Sequence, residues 1–186
     1  MKKANVYGLA LLPPVALLAV LYLWLWGLDS LSTAVEFESP LSVLLVWLVA
    51  YPATFAVGIV AHELLHGLSF LYIGGAHREN VTLVGFQRET ATPYSACSEP
   101  VRARHYRWSV AMPTLILGIL PATVGLATGN PWAMFFGLLF ILAASGDALI
   151  LWLLRSVSAE ALVEDHPTRA GCYVIESGGQ TVDDPA

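Results

Sequence analysis

Ala61-His62-Glu63-Leu64-Leu65-His66-Gly67 places two histidines and a glutamate inside an otherwise apolar run. Upstream, from Glu38 to His62, there is no charge; downstream, Leu68, Phe70, Leu71 and Ile73 continue the apolar character as far as Gly74-Gly75. A helix therefore fits residues 41–73, starting after Pro40 and bent near Pro52. On a helix, residues four apart share one face, about 6 Å apart along the axis. Two imidazoles so placed can bind one Zn²⁺ at about 2.0–2.1 Å. Glu63, about 100° around the helix from His62, falls beside such a metal. From there it can take a proton from the attacking water and pass it to the leaving amine. In an apolar span each polar group is costly and needs a partner, which favours a metal site over a solvated polar face.

The composition points to a bilayer. Of 186 residues, 56% are hydrophobic and 12% charged, with a mean hydropathy of +0.66. A soluble domain carries about 25% charged residues, and one of this length could not hide so much apolar surface. The net charge of −5 gives no reason to expect a nucleic-acid partner. Cys97 and Cys172 are too few for a disulfide framework, and both are expected reduced.

Charge-free runs suggest four transmembrane helices, at about 6–27, 41–73, 108–128 and 131–155. Each is long enough for a hydrocarbon core of about 30 Å. Thr128-Gly129-Asn130-Pro131 divides the last two as a tight turn. The run after Lys2-Lys3 exceeds the ~7–15 apolar residues of a signal core, and no small-x-small site directly follows Trp26-Gly27, so a retained helix is expected. With four spans, all nine basic residues fall on the side of the N-terminus. The positive-inside rule then places both termini and the 74–107 loop in the cytoplasm. The expected fold is an all-α polytopic membrane protein with a short β-containing cytoplasmic loop between helices two and three. Val81 to Phe86 and Thr92 to Cys97 are its candidate strands, and Gly171 to Ile175 is another in the tail. Residues 1–165 would form one membrane domain and 166–186 an acidic, partly disordered tail.

Zinc needs a third protein ligand, with the fourth position left open for catalysis. Asp147 is the only ionisable residue within the expected fourth helix. It lies eight residues before Arg155, as His66 lies eight before Gly74. Both are thus roughly 12 Å from helix ends on the same side. Glu79, Glu89 and Glu99 in the loop, with His77, His105, Asp165 and His166, remain formal alternatives. Metzincins are excluded, because Ser69 and Tyr72 stand where they need glycine and histidine. A strand beside the metal would offer its edge to an extended peptide. Arg102, Arg104 and Arg107 read most simply as topology anchors near anionic headgroups.

In motif, depth and topology the chain resembles a site-2-protease-type intramembrane metalloprotease. More closely, it resembles the small membrane family labelled "putative zincin peptidases". The resemblance rests on Ala61 to Gly67, the Thr92-Pro93-Tyr94 segment and Ser145-Gly146-Asp147, and covers about residues 41–165. Ala148 stands where site-2 proteases usually carry glycine, and the only Asn-Pro is Asn130-Pro131. The resemblance implies His62, His66 and Asp147 as zinc ligands and Glu63 as catalytic acid/base. It implies a zinc-dependent endopeptidase that acts on a membrane or membrane-adjacent peptide near the cytoplasmic face. The expected location is the plasma membrane of a prokaryote. The rival classes are a non-catalytic, zinc-stabilised scaffold or chaperone and, less compatibly with four helices lacking inverted repeats, a transporter.

Overall fold

The computed structural model describes residues 10–28, 39–88, 92–166 and 171–175. Its helices are α1 (Leu12–Trp26), α2 (Pro40–Leu45), α3 (Tyr51–Tyr72), α4 (Ala103–Pro113), α5 (Leu120–Thr128), α6 (Pro131–Ala143) and α7 (Ser145–Leu154). Its strands are β1 (Val81–Gln87), β2 (Thr92–Cys97), β3 (Val101–Arg102), β4 (Leu162–Asp165) and β5 (Cys172–Ile175). Two antiparallel sheets result, one of β1 and β2 and one ordered β3-β4-β5. The protein is thus mixed α/β, which corrects the all-α expectation. The strands expected in the loop and the tail build sheets, and the two residues of β3 tie the tail into one of them.

The expectation of four spans is also corrected. Among the described residues, two helical stretches are long and apolar enough to cross a membrane, Leu48–Tyr72 and Ala103–Thr128. Helices α6 and α7 add a third only if their 51° bend is taken as a bend within one crossing. At the break, Ala144 has ψ near 18°, outside the helical range. Helix α1 has 15 residues, about 22 Å at 1.5 Å per residue, which is short of a hydrocarbon core. Charge-free length overestimates the spans because it measures hydropathy and is blind to where a helix stops.

The long helices are locally irregular for identifiable reasons. Ser39 caps α2, its Oγ accepting from the Ser42 N–H at 3.3 Å, with Pro40 as first residue. Val46–Ala50 is π-helical just before Pro52, and Thr114–Ile119 is π-helical just after Pro113. A proline gives no N–H, so the ladder must shift around it.

The chain divides into two compact units. One comprises Met1–Ile59 and Thr114–Gly146. In it the expected turn is present: Gly129 takes a left-handed conformation at φ 73°, and the Asn130 side chain accepts from the Ala133 N–H at 3.0 Å to start α6. Gly137 lets α5 and α6 meet closely, since a Cβ there would lie 2.4 Å from the Ala122 nitrogen. Tyr22 of α1 is buried and donates to the Gly129 carbonyl at 2.7 Å.

The other unit comprises Val60–Pro113 and Asp147–Ala186 and carries every candidate site residue. Its core is Phe70, Val81, Cys97, Tyr106, Val110, Leu154 and Val163, with small residues between them. Here β1 lies against α3 at Gly67, where an added Cβ would stand 2.7 Å from the Leu83 Cα. The glycine that closes the sequence motif is thus where the strand approaches the helix.

Candidate metal centre

The motif helix presents His62 and His66 one turn apart, and their Nε2 atoms come within 3.2 Å. Asp147, in the first turn of α7, reaches them both. Its Oδ2 is 3.1 Å from His62 Nε2 and its Oδ1 3.4 Å from His66 Nε2. All three side chains are 11–15% exposed. Ligands held at 2.0–2.1 Å by a tetrahedral ion stand about 3.3–3.4 Å apart. Each of the three separations is thus close to one edge of a zinc tetrahedron, with a different carboxylate oxygen of Asp147 turned to each histidine.

The protons available agree with that fit. His66 Nδ1 lies 2.9 Å from the Ser109 carbonyl oxygen, which can only accept. Nδ1 must carry the proton and donate it, leaving Nε2 as a bare lone pair directed at its neighbours. The buried Asp147 Oδ2 has His62 Nε2 beside it at 3.1 Å and is otherwise without a donor. Lone pairs converging without enough protons between them need a cation. Among the described residues, these three form the only group of histidine, cysteine and acidic side chains able to hold a metal ion.

Most of the alternatives are otherwise engaged. His77 and Glu99 pair at 2.9 Å, and Asn80 Nδ2 also donates to Glu99. Glu79 lies in the short 3₁₀ turn Arg78–Asn80. His105 accepts from Arg104 Nε at 3.2 Å, and His166 stacks on Tyr173. Asp165 accepts from the Tyr106 hydroxyl and, at 2.7 Å, from the Cys97 N–H. Glu89 lies outside the described residues.

A cleft of about 830 Å³ runs beside His66 and Asp147, lined also by Glu63 and, from β2, by Tyr94 to Cys97. The Ser95 backbone faces the Glu63 carboxylate. Among the described residues strand β2 pairs with β1 alone, so its other edge is open in this sheet. Beyond the cleft's acidic wall of Glu164 and Asp165, burial holds the Asp165 carboxyl above its usual range, against the Tyr106 hydroxyl and the Cys97 N–H. Burial also pushes both thiols, Cys97 and Cys172, up to about 11, so neither is a thiolate near neutral pH.

A family model described as "Putative zincin peptidase" matches residues 55–162, more than half of the chain. The chain belongs to that family. Zincin membership makes a metallopeptidase with zinc as its cofactor the coarse functional class, and the His62, His66 and Asp147 group is compatible with that ion. No curated protein and no solved structure matches the chain.

Sequence reasoning did not find Ser109 or Arg107 as parts of this zincin's site. Ser109 acts through its backbone carbonyl, which no residue type announces. Its one sequence signal is Pro113, four positions on, which cannot donate to it.

Proposed function

We propose that this protein is a zinc-dependent endopeptidase of the site-2-protease type, in which His62, His66 and Asp147 hold the metal and Glu63 is the acid/base. The observation that carries the reading is the convergence of His62, His66 and Asp147, with contacts of 3.1–3.4 Å between their nitrogen and oxygen atoms, at a cleft that Glu63, His66 and Asp147 line. Bound there, zinc would polarise the scissile carbonyl and lower the pKa of water at its open position.

The chain's own residues do the rest. Glu63 takes the proton of the attacking water and returns it to the leaving nitrogen. The Ser109 carbonyl fixes the His66 ring through Nδ1, so that Nε2 keeps its lone pair for the metal. The open edge of β2 holds a substrate segment in extended form, because a helical amide is shielded by its own hydrogen bond. Long apolar helices next to the site favour a membrane-embedded or membrane-adjacent peptide as substrate. The reading places the protein in the plasma membrane of a prokaryote, with the hairpin loop on the cytoplasmic side.

The test compares wild type, Asp147→Ala and Glu63→Gln, purified in detergent. Zinc per chain is measured for each, and cleavage is followed by mass spectrometry on a mixture of synthetic transmembrane peptides. About one zinc in wild type and in Glu63→Gln is expected, with zinc lost or greatly weakened in Asp147→Ala and new peptide termini from wild type alone. Zinc retained in full by Asp147→Ala overturns the ligand set. Cleavage retained by Glu63→Gln overturns the mechanism, and zinc binding with no cleavage by wild type turns the reading towards a zinc-stabilised scaffold.

A further inference from the structure

Helix α4 contributes no ligand, but it touches His66 directly and reaches the end of the helix that carries Asp147. Three of its residues, within four positions, reach three other elements. Tyr106 donates to Asp165 of β4. Arg107 Nη2 donates to the carbonyls of Leu154, at 2.6 Å, and Val157. Ser109 accepts from His66 of α3.

The Arg107 contacts fall where they control Asp147. Leu154 is seven residues after Asp147, close to two full turns, so the two lie on nearly the same face of α7 about 10 Å apart. The last carbonyls of a helix have no partner within it, and a cation there also suits the dipole. The Leu154 carbonyl also accepts from the Val157 N–H at 3.0 Å, so the guanidinium braces the turn that closes α7.

The Ser109 contact depends on the sequence of α4 itself. In a regular helix the Ser109 carbonyl would accept from the N–H four residues on, but that residue is Pro113. The carbonyl is left open, and His66 takes it. Ser109 is fully buried, so water does not compete for that acceptor.

We propose that α4 sets the register of the metal centre, with Arg107 and Pro113 as its positioning residues. Arg107 places Asp147 by gripping the end of α7, and Pro113 keeps the Ser109 carbonyl open for His66. The inference rests on the zinc reading given above, and wild-type zinc binding tests that reading separately.

The experiment measures zinc affinity by chelator competition, and the visible absorption of the cobalt-substituted protein, for wild type, Arg107→Met, Arg107→Lys and Pro113→Ala. Thermal unfolding of each metal-free form reports whether the fold survives. Groups that orient ligands cost about 10–100-fold in metal affinity when removed. Arg107→Met and Pro113→Ala are expected to lose affinity in that range and to shift the cobalt bands. Arg107→Lys, which restores a donor, is expected to recover most of both. Folded Arg107→Met and Pro113→Ala proteins with wild-type affinity and spectrum overturn the inference. If Arg107→Met does not fold, Pro113→Ala decides alone: an unchanged cobalt spectrum overturns the inference, and a shift supports it. No zinc in wild type would overturn the underlying zinc reading as well.

Discussion

At Gly67 a single hydrogen in place of a side chain decides whether β1 can lie on the motif helix. A Cβ would meet the Leu83 backbone at 2.7 Å, and backbone cannot rotate aside as a side-chain tip can. Gly67→Val is therefore expected to destabilise the protein by about 1–3 kcal/mol, as overpacking does. Thermal unfolding in detergent measures this, and an unchanged midpoint would show that β1 does not depend on this approach. The same variant bears on the site, because β1 carries β2, and β2 brings Ser95 to Glu63. His62, Glu63 and His66 were legible as a set because their spacing is a helical period, and Asp147 because charge is rare in an apolar run. Gly67 was visible as part of the motif, but its role was not, since helix–strand approach is a tertiary fact. The carbonyl contacts of Arg107 were not legible: as a cation beside a span it reads as a headgroup anchor, and only the structure adds that its guanidinium donates to two carbonyls at the end of α7.

Among elements, the connection from α3 to β1 is held by a clip around Glu99. Its carboxylate accepts from Asn80 Nδ2 at 3.0 Å, from the His77 N–H at 2.8 Å and from His77 Nδ1 at 2.9 Å. These bonds, Asn80's first, hold the Glu99 carboxyl down to about 2. Glu99 in turn raises the His77 imidazole above its usual value, first through the hydrogen bond and then through its charge. A histidine whose folded pKa is raised contributes stability that is complete below its unfolded pKa of about 6.5 and is lost as pH rises through the folded value. The glutamate term has the opposite sense, present above about 4.5 and lost only as pH falls towards 2. The difference in unfolding temperature between wild type and His77→Gln is thus expected to be largest near pH 5–6 and to shrink towards pH 9. A difference that grows with pH would show that the imidazolium is not what Glu99 holds. Both strands flanking this clip were readable from their β-branched and aromatic residues. The sheet joining β3 to the tail was not, because a two-residue strand has no pattern and its partner lies some sixty residues further on. The break at Ala144 was hidden for a related reason: the apolar run continues through it, and only the backbone records that the helix has turned.

For the molecule as a whole, the charges around the two long spans are what remain of the orientation argument once four spans are set aside. Between Leu48–Tyr72 and Ala103–Thr128 lie Arg78, Arg88 and Arg102, and Arg104 and Arg107 follow in the first turns of the second span. At that span's other end there is no charged residue from Trp108 to Gly146. Short loops rich in arginine stay in the cytoplasm, since translocating them against the membrane potential is unfavourable. The loop bearing the β1–β2 hairpin is therefore expected to face the cytoplasm, and a cysteine there reports it directly. Glu79→Cys places a thiol in the exposed turn before β1. The two native thiols, held protonated to about 11 by burial, react slowly near neutral pH and leave the new one readable. In intact cells a membrane-impermeant maleimide is expected to leave Glu79→Cys unlabelled, and permeabilisation is expected to expose it. Labelling of intact cells at the rate seen after permeabilisation would place the hairpin, and with it the cleft beside Glu63, on the outer face. The peptide offered to the open edge of β2 would then be an extracytoplasmic one, so this measurement also decides on which side of the membrane a substrate should be sought.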